Sequence, residues 1–104
     1  MDKKHVPIIE APTKAKSGEP FEVKLKVGGI DGVEHPNMLS HYITWVELYA
    51  GERHTARIEF APAISDGYKI KLAITLEKSA KLCARAFCNL HGLWEGQAKQ
   101  ITIE

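Results

Sequence analysis

The sequence predicts an all-β protein, a seven-stranded antiparallel immunoglobulin-like β-sandwich. Apolar and polar residues alternate with period two through most of the chain, and clusters of glycine, proline and serine interrupt the alternation at short intervals. No apolar period of 3.6 runs long enough to compete as a helix.

The elements follow in order. Residues 6–9 form the first strand candidate, closed by the turn signal Ser17-Gly18-Glu19-Pro20. Residues 21–27 are the clearest strand: Phe21, Val23, Leu25 and Val27 alternate with Glu22, Lys24 and Lys26, one dry face and one wet face. Gly28-Gly29-Ile30-Asp31-Gly32 ends it. Residues 41–49 come next, and Ala50-Gly51-Glu52 leads into residues 55–60. Ser65-Asp66-Gly67 marks a further turn before residues 68–76, where Ile70, Leu72, Ile74 and Leu76 share the inward face. After Glu77-Lys78-Ser79 come residues 82–88 and finally residues 100–103.

The chain of 104 residues is the size of one domain, 1–104, with no repeat or linker. Its 44% hydrophobic and 26% charged residues describe an ordinary globular protein, too apolar for disorder. A net charge of +1 argues against nucleic acid, whose binding needs a basic face to displace phosphate counterions. No apolar run approaches the roughly 20 residues of a membrane span, and the start Met1-Asp2-Lys3-Lys4-His5-Val6-Pro7 is too polar for a signal peptide. A cytoplasmic protein is expected.

Two cysteines and five histidines carry the chemistry. Cys83 and Cys88 sit five apart in one strand candidate, about 16 Å between Cα atoms at roughly 3.3 Å per residue, so they do not pair with each other. Odd spacing also puts them on opposite faces, one functional and the other, Cys83, small core or strand filler. Cys88-Asn89-Leu90-His91 is a Cys-x-x-His pair able to give one metal a thiolate and an imidazole. His35 and His41 flank a turn and strengthen the metal reading; His54 fits no motif and reads as a surface residue. Trp45 shares a strand face with His41, and Trp94 follows the Cys88 loop; both are expected to pack around the metal loops.

His5-Val6-Pro7, His35-Pro36-Asn37 followed by His41-Tyr42-Ile43-x-Trp45-Val46-Glu47-Leu48, and Cys88-Asn89-Leu90-His91-Gly92-Leu93-Trp94-Glu95 together resemble the superoxide reductases, the neelaredoxin and desulfoferrodoxin group. The resemblance runs from about Lys3 to the C-terminus. It implies one mononuclear non-haem iron with four equatorial imidazoles, from His5, His35, His41 and His91, and an axial Cys88 thiolate, the sixth position being open. It also implies one-electron reduction of superoxide to hydrogen peroxide, an external donor such as rubredoxin, and a homo-oligomer, with a tetramer favoured. The other family form adds an N-terminal iron on four cysteines; this chain resembles the one-iron class.

Lys4 matches the family's lysine beside the first histidine, where its ammonium would attract the anion and help supply a proton. The preceding family residue, usually a glutamate that ligates ferric iron, is Lys3 here. The Leu90 and His91 amides are expected to donate to the Cys88 sulfur.

Two other readings compete. A cupredoxin-like electron carrier also uses a cysteine and histidines, but adds a weak axial methionine, and no methionine follows Met38. A non-catalytic, metal-binding immunoglobulin-like module with structural zinc leaves Lys4 and His5 unexplained.

Overall fold

A computed structural model describes residues 2–63 and 67–104. Ser65 and Asp66 of the predicted turn therefore lie outside the described residues. Among the described residues are ten strands: β1 (Pro7–Glu10), β2 (Lys14–Ala15), β3 (Phe21–Ile30), β4 (Val33–Glu34), β5 (Ile43–Ala50), β6 (Arg53–Glu59), β7 (Ile70–Ile74), β8 (Ala80–Cys88), β9 (Gly92–Glu95) and β10 (Lys99–Ile103). Among the described residues, no helix is long and apolar enough to cross a membrane.

The strands form two sheets. In one, β3 pairs with β1 on one edge and with β7 and then β4 on the other; the second runs β2-β10-β8-β5-β6, with β9 also on β8. All seven expected strands are present within three residues of their predicted bounds. The additions β2 and β4 are two residues each, too short to show a period. A glycine opens β9, which disguises it as loop. All pairings are antiparallel except β2 with β10, which is parallel.

Val23, Leu25 and Val27 of β3 and Ile9 of β1 meet Ile43, Val46 and Leu48 of β5, Leu82, Ala84 and Ala86 of β8, and Ile101 of β10 in one buried cluster. Slipping β3 by one residue would exchange its three buried apolar side chains for lysines and a glutamate, so the alternation fixes the register. On β8 the same alternation buries Cys88 completely and leaves Cys83 on the outer face. The opposite-face expectation holds.

Trp45 departs from expectation. The register of β5 on β8 shifts between Ile43 and Trp45, an irregularity that reverses which face follows. Trp45 thus faces outward, stacked on Phe87 at 5.7 Å with the Arg57 guanidinium 4.5 Å above it. It does not pack around the histidine loops.

Candidate metal centre

Two loops and the chain preceding β1 converge at one end of the two sheets. The loop Asn89-Leu90-His91 joins β8 to β9 as a three-residue hairpin whose Gly92, at φ 79°, takes the left-handed position such a loop requires. That turn brings His91 back over the end of β8. Met38 and His41 exchange backbone hydrogen bonds of 3.0 and 2.9 Å, closing the turn expected between His35 and His41. Asn89 ties the two loops together, accepting from the Tyr42 amide at 2.8 Å and donating to the Ser40 carbonyl at 3.2 Å.

Two glycines permit close contact around the start of β1, Gly28 of β3 with the chain before it and Gly96 after β9 with its first residue. A Cβ on Gly28 would sit 2.5 Å from the Lys4 carbonyl oxygen, and one on Gly96 would run into the Pro7 carbonyl. Hydrogen bonds from the Gly28 amide to Val6 (3.0 Å) and from the Ile30 amide to Lys3 (3.3 Å) hold the segment down. His5 is thereby set against Trp94, the rings stacked at 4.7 Å and 12°.

The imidazoles form a closed circuit. Ring centroids are 4.9 Å apart from His5 to His35, 4.6 Å from His35 to His41, 4.9 Å from His41 to His91 and 4.8 Å from His91 back to His5. Each of these neighbouring pairs is edge-to-face, and His5 lies across the circuit from His41 at 6.0 Å. One ligand atom each from His5, His35, His41 and Cys88 lies within 4.8 Å of all the others. His91 stands outside that tightest group, but its Nδ1 is 3.0 Å from His5 Nε2 and 3.8 Å from Cys88 Sγ. Donor atoms about 2.0–2.3 Å from one metal are separated by roughly 3 Å when adjacent and about 4–4.6 Å when opposite. These spacings fit one ion.

The chemistry of the donors fits as well. His35 Nδ1 is 2.7 Å from the Pro36 carbonyl, which can only accept, so Nδ1 carries the proton and Nε2 the lone pair. Nε2 of His35 and Nε2 of His41 are both buried without a hydrogen-bond partner. Such orphaned atoms are costly unless something binds them. Burial, followed by the neighbouring positive groups, pulls His35 down to about 4, against the opposing effect of the Pro36 carbonyl. Burial also lowers His41, with help from His91, Lys4 and His5. Both rings are thus neutral at pH 7, the form that coordinates.

Sequence reasoning did not find two supports. Tyr68, 1% exposed, accepts from the Ile43 amide at 3.2 Å and donates to the Pro36 carbonyl at 2.9 Å, fastening the His35 loop to β5. Asp2 accepts from the Lys4 and His5 amides at 3.0 and 2.5 Å and from His5 Nδ1 at 2.8 Å. Burial pushes the Asp2 carboxyl up, but the His5 ring and amide outweigh it and hold it below its ordinary value. A tyrosine at a strand start and an aspartate in an N-terminal polar run gave no distinguishing signal.

Lys4 is half-buried, and its charge is felt at both His35 and His41. Lys3 instead pairs with Asp31 at 3.1 Å. The tight ligand group among the described residues contains no carboxylate. Among the described residues, the sulfur of Cys88 has the His91 ring as its polar neighbour; the anticipated bonds from the Leu90 and His91 amides are not formed. His54 lies elsewhere, pairing with Glu47 at 2.9 Å on the surface. Cys83 donates to Glu95 at 2.9 Å, also away from the cluster.

Comparison with known proteins agrees with the motifs. The family model described as Desulfoferrodoxin matches residues 1–97. A superoxide reductase of Pyrococcus furiosus is 36% identical over 118 aligned positions that cover 97% of this chain and 89% of that protein. Among solved structures, the superoxide reductase (neelaredoxin) of Ignicoccus hospitalis superposes with a TM-score of 0.82 at 39% identity, covering 96% of this chain and 81% of that one. The superoxide reductase of Nanoarchaeum equitans gives 0.77 at 40% identity, with 96% and 94% covered. With the alternating strands, the histidine circuit and the matched length all in agreement, the chain belongs to the desulfoferrodoxin family.

Proposed function

We propose that residues 1–104 act as a single superoxide reductase domain that binds one mononuclear non-haem iron through His5, His35, His41, His91 and Cys88. The observation that carries this reading is the closed circuit of four imidazoles beside a buried thiol, with two Nε2 atoms left unpartnered. Two imidazoles and a thiolate with a weak axial ligand make a blue-copper site; four rings beside the thiol favour iron and disfavour the cupredoxin reading. A structural zinc would be closed by four donors, whereas five converge here.

Bound iron would supply the single electron that, with two protons, converts superoxide to hydrogen peroxide. The protein's own groups do the rest. Neutral imidazoles and one thiolate leave a divalent site with net charge +1, which attracts a small anion. Lys4, whose charge reaches His35 and His41, adds a second positive charge near them. Steering by such a charge is worth roughly 10- to 1,000-fold in encounter rate. By likeness to the family, the electron is restored by an external donor such as rubredoxin, and the chain works as a homo-oligomer, with a tetramer favoured.

The test is metal analysis after anaerobic, iron-replete expression, combined with a superoxide-consumption assay. One iron per chain, a thiolate-to-iron band and peroxide without dioxygen are expected; zinc alone, or no consumption of superoxide, would sink the proposal. Replacing Lys4 by alanine should lower the second-order rate with superoxide about tenfold and flatten its dependence on ionic strength, with iron content unchanged. A wild-type rate and salt slope would reduce Lys4 to a solvated side chain.

A further inference from the structure

Three donors converge on the Asp2 carboxylate, and they divide it. Oδ1 takes the backbone amides of Lys4 and His5, while Oδ2 stands 2.8 Å from His5 Nδ1. An ionised carboxylate has no proton to give, so the bond to the ring requires the proton to sit on His5 Nδ1. In the neutral ring, the form that can ligate a metal, Nε2 then carries the lone pair, and it is this atom that lies 3.0 Å from His91 Nδ1 inside the circuit. The His5 side chain is 4% exposed and that of Asp2 21%, so the pair is largely shielded from water.

We infer that Asp2 is a positioning residue for the metal centre: it fixes the His5 tautomer and aims an unprotonated Nε2 at the other ligand atoms. The inference rests on the proposed metal-binding reading. At His35 the Pro36 carbonyl does the same work. His5 receives a carboxylate instead, the stronger partner, because a hydrogen bond to a charged acceptor is roughly twice as strong as one between neutral groups. The two-oxygen geometry is also essential. A side chain with a single acceptor oxygen can serve the two amides or the ring, but not both in this arrangement.

Asparagine makes the test sharp. In Asp2→Asn the amide oxygen remains with the Lys4 and His5 backbone N–H groups, and the NH2 group is left facing His5 Nδ1. A donor there favours the opposite tautomer, with Nε2 protonated and pointing its hydrogen into the circuit. A residue that merely caps the backbone turn would be replaced by asparagine without loss.

Two readouts are required: the ring 15N chemical shifts of His5 in the metal-free protein, and the affinity for Fe(II) in anaerobic titration. The native protein should show the proton on Nδ1. Asp2→Asn should move it to Nε2 and weaken Fe(II) binding about 10- to 100-fold, the range typical of outer-shell partners of histidine ligands. Asp2→Ser, which serves the amides and offers the ring nothing, should fall between the two. Native tautomer or native affinity in Asp2→Asn overturns the inference, since the two must change together. Failure of the native protein to bind Fe(II) would instead overturn the proposed function, and the nitrogen shifts would still decide what Asp2 does to His5.

Discussion

Replacing Cys88 by serine should abolish both the thiolate-to-iron band and superoxide reduction, while Cys83→Ser leaves both nearly unchanged. The two cysteines share strand β8, yet its alternation sends their side chains to different environments. Cys88 is fully buried under the imidazole circuit, and Cys83 is on the outer face with its sulfur against Glu95. A serine hydroxyl at position 88 matches the thiol in shape but does not ionise at neutral pH. It therefore removes the one donor of the proposed ligand set that would bind iron as an anion. At position 83 a hydroxyl can still donate to Glu95, so nothing that touches the centre changes. The expected loss at Cys88→Ser is about two orders of magnitude or more in rate, at or beyond the upper end for changes around a ligand rather than at one. Equal losses in the two variants would refute the assignment of Cys88 as a ligand.

How much of this could be read from the sequence depends on the range of the interaction that decides each feature. Period-two alternation is local, and it located all seven expected strands, because a strand with one buried face must show it. The residues of the proposed centre were legible as motifs: the Cys-x-x-His pair lies on a three-residue hairpin, and the turn between His35 and His41 is closed by its own backbone. Trp45 was misplaced because the shift between Ile43 and Trp45 arises from pairing with β8, and the alternation of β5 read alone does not reveal it. Strands β2 and β4 exist only because a neighbouring strand offers them partners. Asp2 and Tyr68 were missed for a related reason. Each acts through a bond whose geometry is set by where the chain crosses another element, and neither residue type is unusual at its position.

The expected loss of anchored His5 in Gly28→Ala follows from such a crossing. Gly28 has φ 73°, in the left-handed region, and a Cβ built there would lie 2.5 Å from the Lys4 carbonyl oxygen and 3.0 Å from two further Lys4 backbone atoms. Alanine therefore carries two separate costs. The conformational one is about 1–2 kcal/mol for a side chain held in the left-handed region. The steric one cannot be relieved by rotating a side chain, because the obstructing atoms are backbone. The Lys4-His5 segment must lift away from β3, taking the first imidazole out of the circuit and weakening the Gly28-to-Val6 hydrogen bond that holds the segment down. Gly51 provides the control: it also has positive φ, 60°, but a Cβ there meets nothing within 4 Å. Gly51→Ala should therefore melt roughly 4 to 16 °C lower, from the conformational cost alone at ~4–8 °C per kcal/mol for a chain of this size, and Gly28→Ala lower still, because the steric cost adds to it. Fe(II) affinity should fall about 100-fold in Gly28→Ala and stay at the native value in Gly51→Ala. Equal iron affinity in the two variants would show that His5 is not held in place by the close approach of Lys4 to Gly28.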